Sequence, residues 1–188
     1  GKVKVMFPMV GTPEEAHDLR ALVEKVKGRL AAEGVAHAPA IEVGVMLEVP
    51  SAVLSVREIA RDVDFFSVGS NDLAQYLFAV DRDDPRLAHL GSAFHPAFLR
   101  ILLEAVEGAH AARRWIGLCG ELGGRPLAAP LLLGLGFDEV SVSPPRLDRR
   151  PTARPVRRPR GTARGGWQVR SRGRCSGRCP MSTASWWA

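Results

Sequence analysis

No apolar run in this sequence approaches the roughly 18 to 20 residues a helix needs to cross a bilayer. The longest candidate, "PLAAPLLLGLGF", is too short and lies far inside the chain, so no membrane span is expected. No signal peptide opens the sequence, and its first residue is Gly1 rather than Met, which suggests a piece of something longer. Cysteine is scarce. Three cysteines without framework spacing argue against a secreted disulfide scaffold and fit a reducing, cytoplasmic setting. Cys119 has no partner at CxxC spacing and no zinc-ligand pattern around it, which disfavours redox and zinc roles.

Acidic residues are nearly missing from one region. After residue 143, Asp148 stands alone against 12 arginines, a net of +11, whereas residues 1–143 carry 14 Lys and Arg against 19 Asp and Glu, a net of −5. The overall +6 therefore describes neither part, and a mildly acidic body must be read apart from a basic tail. The body, 1–143, is expected to be the folded unit. The tail, 144–188, lacks usable periodicity and is crowded with Arg, Pro and Gly, so disorder is expected there. Two readings of it stand: a basic arm for a polyanion such as nucleic acid, or a frame-shifted sequence. Arg, Pro, Gly, Trp and Cys are what misframed GC-rich coding yields, so the frame error is preferred and nucleic acid is not expected as a partner.

What the body does have is alternation. "KVKVMFPMV" reads as a strand ending near Pro8. In the next segment Thr12 is a good N-cap, Pro13 suits the first helical position, Glu15 completes a capping box and Gly34 ends the helix. Leu19, Leu22, Val23, Val26 and Leu30 give that helix an apolar stripe. Strand "IEVGVMLEV", short helix "PSAVLSVREIARDV", strand "DFFSVGS" and helix "NDLAQYLFAV", capped by Ser70 or Asn71, follow. A polar loop leads to helix "HPAFLRILLEAVEGAHAAR", strand "WIGLCGE", helix "GRPLAAPLLLGLG" and strand "FDEVSVS". This rhythm predicts an α/β fold with a parallel sheet covered by helices. Five strands suit either an open doubly wound sheet or most of an eight-stranded barrel.

In such folds function collects at the carboxyl ends of the strands. Glu48 ends the second, Gly69, Ser70, Asn71 and Asp72 the third, and Cys119 and Glu121 the fourth. Glu48 and Asp72 are candidates to share Mg²⁺, which favours a few carboxylates completed by water and ligand phosphate; capping of the following helices is the alternative for each. "GSND" before a helix is a candidate phosphate seat, again with plain N-capping as the alternative. Arg82 either swings over that phosphate or pairs with Asp81 or Asp83. Cys119 taken alone reads as a small apolar filler. His17, His37, His89, His95 and His110 read as solvated or capping. The residues thus imply a metal-assisted site for an anionic, phosphorylated ligand.

Together, "IEVGVMLEVPSA", "VDFFSVGSNDLAQYLFAVDRDD" and "GLCGELGG" resemble the phosphoenolpyruvate-utilising enzymes, in the family's order. "VMFPMV", "SNDLAQYLFAVDR" and "LLLGLGFDEVSVS" look most like enzyme I of the bacterial sugar phosphotransferase system, and the match runs from about Val3 to Ser143. The resemblance implies a (β/α)₈ TIM-type barrel, of which this chain holds about the last five β/α units. It implies phosphoenolpyruvate bound with Mg²⁺, phosphoryl transfer to a histidine on a separate upstream domain, and onward transfer to a phosphocarrier protein in sugar uptake. By motif position Glu48 and Asp72 would be the Mg²⁺ ligands, Asn71 and Arg82 would hold the phosphate, and Cys119 would protonate the enolate of pyruvate, with Glu121 in the same motif. A thiol over the methylene carbon can act as general acid, since thiols stay protonated at neutral pH. A homodimer is implied by the family alone.

The sequence also departs from that family. Nothing resembles its phosphohistidine motif, and its early barrel strands are missing. The chain alone is therefore expected to be inactive, and an unclosed barrel would leave strand edges exposed. A pyruvate phosphate dikinase or phosphoenolpyruvate synthase segment, a non-catalytic polyanion-binding fragment and an aldolase-like Mg²⁺ lyase are the alternatives.

Overall fold

The structure is a computed structural model that describes residues 3–81, 94–142 and 168–171, the last four as backbone only. Strand β1 (Lys4–Phe7) leads into helix α1 (Pro13–Ala32) through the expected capping box. Thr12 Oγ1 accepts from the Glu15 N–H at 3.3 Å, and Glu15 Oε2 accepts from the Thr12 and Gly11 N–H groups at 3.1 and 2.7 Å. These bonds satisfy amide groups that the first helical turn leaves without partners. Gly34, at φ +68°, follows the last turn in the left-handed region that glycine tolerates best.

Strand β2 (Glu42–Leu47) precedes α2 (Pro50–Leu54) and α3 (Val56–Ile59); β3 (Phe65–Gly69) runs straight into α4 (Ser70–Phe78). Helix α5 (Pro96–Ala111) is followed by β4 (Trp115–Cys119), a 3₁₀ turn (Glu121–Gly124), α6 (Ala128–Leu135) and β5 (Glu139–Val142). All strands pair in parallel, and the order across the sheet is the order along the chain. A doubly wound sheet reverses its strand order at a switch point. This one does not, which is the ordering of a barrel wall.

Alternate residues of each strand face the helices. Val45, Leu47, Phe66, Val68, Ile116, Leu118 and Val140 join Phe98, Leu102, Val106 and Leu132 in one buried cluster. Burying side chains of this size contributes roughly 1.5 to 3 kcal/mol each, and three of the largest, Phe66, Phe98 and Phe137, are fully buried. The residues between them line the opposite face. There the Phe65 and Trp115 rings stack with centroids 4.6 Å apart, Lys4 Nζ lies 4.4 Å from the Trp115 ring, and Trp115 Nε1 donates to Glu42 Oε2. This aromatic and ionic layer fills the amino-terminal end of that face, while the carboxyl end carries Glu48, Gly69 and Cys119.

At the amino-terminal ends the strands are tied by aspartates. Asp64 donates its N–H to the Val43 carbonyl at 2.7 Å and accepts the Val43 N–H on Oδ2 at 2.9 Å. Asp138 repeats the device with Ile116, at 2.9 Å both ways. Each aspartate also meets a helix side chain: Arg20 Nη1 lies 2.8 Å from Asp64 Oδ2, and His110 Nε2 2.9 Å from Asp138 Oδ2. The remaining described histidines are on the surface or at a cap, with His17 beside Asp62 and His95 accepting the Ala97 N–H at the start of α5. His89 lies outside the described residues.

Three expectations are corrected. The single helix expected from Pro50 breaks at Ser55 (φ −105°, ψ 18°) into α2 and α3. The stripe of α1 is not closed over, because Leu22 and Val26 remain exposed and Ala16 is its one fully buried residue. Within the segment expected to be disordered, Gln168–Ser171 forms a strand, β6, parallel to β5. A physical reason is available, since the free edge of β5 offers a row of backbone donors and acceptors. The rest of 144–188, including any frame-shift question, lies outside the described residues.

Candidate active site at the strand ends

The ends of β2, β3 and β4 converge. Glu48, one residue beyond β2, is buried, and its Oε1 accepts the Met9 N–H at 2.7 Å. Helix α2 has Val49 at its cap and no side-chain cap bond. The helix-capping alternative for Glu48 is therefore excluded: its carboxylate reaches sideways to the end of β1. Burial holds the Glu48 carboxyl above the usual carboxylate range; the Met9 N–H opposes this, and the charge of Asp72 adds to it.

Asp72 sits in the first turn of α4, where the helix dipole also favours an anion. Gly69 stands against the Glu48 carboxylate. A Cβ there would come within 2.7 Å of Glu48 Oε2, so the close approach of β3 to this carboxylate requires glycine. The expectation that Ser70 or Asn71 caps α4 is overturned. Gly69 occupies the cap position and no side chain caps the helix. Both side chains instead turn toward β4: Ser70 Oγ donates to the Cys119 carbonyl at 2.8 Å, and Asn71 Oδ1 accepts the Glu121 N–H at 3.3 Å. The reason is position, since the β3–β4 ladder ends at the Gly69–Cys119 pair and leaves the next polar backbone groups of β4 to be satisfied.

Cys119 carries a buried thiol whose Sγ donates to the Val68 carbonyl at 3.3 Å. Gly120 follows at φ +113° and ψ −174°, a conformation essentially confined to glycine. A Cβ there would also collide with Ser70 Oγ and lie 3.2 Å from Asn71 Oδ1. Glu121, the first residue of the 3₁₀ turn, is exposed. Arg82 lies outside the described residues.

The sequence reading missed Met9. Its backbone is held at φ +57°, an uncommon conformation for a side-chain-bearing residue, and that strained N–H is what Glu48 receives. No residue type could have signalled it, because the donor is a main-chain group. Ser51, at the start of α2, donates its Oγ to the Gly11 carbonyl at 2.8 Å and so ties α2 to the β1–α1 turn.

Two carboxylates completed by water and a ligand phosphate suit a hard cation such as Mg²⁺. Among the described residues no group of three or more His, Cys, Asp or Glu is close enough to form an all-protein cage. Glu48 keeps one carboxylate oxygen pinned by Met9 and presents the other beside Gly69, so the residues present fit an open cation site.

A parallel wall whose strands follow chain order, with carboxylates, a helix N-terminus and a thiol at its carboxyl rim, is an α/β arrangement of the TIM-barrel type. Sequence comparison gives the family. Residues 1–154 match the family described as PEP-utilising enzyme, PEP-binding domain, and the chain belongs to it. It is 45% identical over 143 residues to a phosphoenolpyruvate-protein phosphotransferase of Bacillus sp. (strain S), and 46% to that of Haemophilus influenzae, covering 76% of this chain and 25% of each relative. Multiphosphoryl transfer protein 1 of Escherichia coli (strain K12) is 44% identical over 147 residues, covering 78% of this chain and 18% of that protein. The chain spans about a quarter of the length of the phosphotransferases it matches. A citrate lyase from Burkholderia xenovorans LB400 shares the fold, with a TM-score of 0.60 at 20% identity over 78% of this chain and 47% of the lyase. Among the described residues no helix is long and apolar enough to cross a membrane.

Proposed function

We propose that this chain is the substrate-binding barrel segment of a phosphoenolpyruvate–protein phosphotransferase of the enzyme I kind, working in the cytoplasm. The observation that carries the proposal is the similarity to proteins of that name, at 45–46% over 143 residues, in a segment that contains the strand-end cluster. The body, residues 1–143, would be the barrel part. The acceptor would be a histidine on another domain of the intact protein, which passes the phosphoryl group to a carrier protein; the intact protein would act as a homodimer. Among the described residues no strand-end position carries a histidine, which agrees with an acceptor on another domain.

The residues divide the work in a physically sensible way. Phosphoryl transfer needs alignment and charge neutralisation more than covalent help. Glu48 and Asp72 would hold Mg²⁺, which when bound supplies positive charge against the phosphate oxygens. Asn71, through its side-chain amide, and Arg82 would orient the phosphate, and the first amides of α4, from Gly69 and Ser70 onward, would face it. As the bond between phosphorus and the enol oxygen breaks and a bond from phosphorus to the histidine nitrogen forms, the enolate of pyruvate is left. Cys119 would then give its Sγ proton to the methylene carbon, making the methyl group, and the thiolate would recover a proton from solvent. Glu121 stays a secondary candidate at the rim.

The test uses the full-length protein with phosphoenolpyruvate labelled in its phosphate. Mg²⁺-dependent label that is acid-labile and base-stable supports the proposal. Label that never reaches the protein, or reaches it only when ATP is supplied, refutes it.

A further inference from the structure

Apart from the Cys119 thiol, Glu48 and Ser70 are the buried polar side chains among the described residues. Glu48 has a place in the proposed metal site, but Ser70 has none: its hydroxyl faces neither helix α4 nor solvent. It donates to the Cys119 carbonyl at 2.8 Å from the adjoining strand end. It also fills the space that a side chain on Gly120 would need, which ties the hydroxyl to a turn that only glycine can make.

The geometry points to Ser70 as a positioning residue for Cys119. Two bonds fix this cysteine across the β3–β4 boundary. Its thiol donates to the Val68 carbonyl at 3.3 Å, and its carbonyl accepts from Ser70 Oγ. Asn71, through the Glu121 N–H, holds the residue two positions on. The backbone ladder stops at the Gly69–Cys119 pair, and the Ser70 hydroxyl adds a side-chain bond to the Cys119 carbonyl at that edge. A thiol that must meet one carbon of a short-lived enolate depends on such placement, because a misplacement of about 1 Å can lower a rate about 100-fold.

This inference rests on the reading of Cys119 as proton donor, and the experiment separates the two. With full-length protein, phosphohistidine formation and pyruvate release are followed in single turnovers, and exchange of pyruvate methyl hydrogens with deuterated water is followed at equilibrium. Ser70→Ala is expected to slow pyruvate release and methyl exchange about 10- to 100-fold, with KM for phosphoenolpyruvate and the rate of labelling within about two-fold. Ser70→Thr, which keeps the hydroxyl, is expected to restore both to within a few fold. Equal losses in labelling and protonation, no loss in either, or no rescue by threonine would overturn the positioning role. Undiminished pyruvate release in Cys119→Ala would instead remove the donor reading on which it rests.

Discussion

Replacing Gly69 with alanine adds one methyl group against the carboxylate of Glu48. The new Cβ would stand 2.7 Å from Glu48 Oε2 and 3.0 Å from both Glu48 Cβ and Met46 Sδ. Non-bonded heavy atoms settle near 3.5 Å, so the carboxylate must retreat by roughly 0.8 Å. The Met46 thioether can swing aside. Glu48 cannot do so freely, because it is buried and its Oε1 is fixed by the Met9 N–H at 2.7 Å. The backbone adds no strain of its own, since Gly69 has an ordinary φ of −82°. Overpacking of this kind costs about 1 to 3 kcal/mol of stability. Mg²⁺ demands near-ideal geometry, and disturbing the shell behind a metal ligand typically costs about 10- to 100-fold in affinity. The Mg²⁺ concentration that half-saturates pyruvate formation should therefore rise by that factor in Gly69→Ala, while the protein still melts cooperatively. Unchanged Mg²⁺ dependence, with or without a lowered melting temperature, would refute the assignment of Glu48 as a ligand.

Three further outcomes follow from the same structure. Glu48 has a raised pKa in the folded state, so without divalent cations its contribution to stability falls as pH rises from the ordinary carboxylate range through that pKa. Glu48→Gln should thus be the more stable protein above this window, by melting temperature, and Mg²⁺ should cancel or reverse the difference. Asp64 has the opposite sign: burial alone would raise its pKa, but the Val43 N–H and the Arg20 guanidinium outweigh burial and lower it. Its stabilisation is present above the ordinary carboxylate range and is lost as pH falls through the depressed value, so Asp64→Ala should cost about 1 to 3 kcal/mol at neutral pH and progressively less in acid, read by denaturant titration. Gly120→Ala combines a glycine-only backbone conformation, about 1 to 3 kcal/mol, with displacement of the Ser70 hydroxyl from a buried carbonyl, about as much again; thermal melting should fall by several degrees together with pyruvate formation.

Much of this arrangement was legible because it follows from local rules. Thr12 and Glu15 form the capping box that their spacing announces, and β-α alternation placed Glu48, Gly69 and Cys119 at strand ends. What escaped depends on neighbours that periodicity does not reveal. Ser70 and Asn71 look like caps, yet the end of the β3–β4 ladder presented unsatisfied groups closer at hand. The Met9 N–H has no side-chain signature, and the reciprocal bonds of Asp64 and Asp138 require knowing which strands adjoin. The choice between a barrel and a doubly wound sheet likewise turned on strand order. The half-exposed stripe of α1 shows the reverse case: Leu22 and Val26 are spaced to be buried, but no described element covers them.

The most direct test of the central claim is the rate of pyruvate formation by the full-length protein carrying Cys119→Ala, at saturating phosphoenolpyruvate and Mg²⁺. The account predicts a fall of about 100- to 10,000-fold, with labelling of the histidine retained. Pyruvate formed at the normal rate would contradict it.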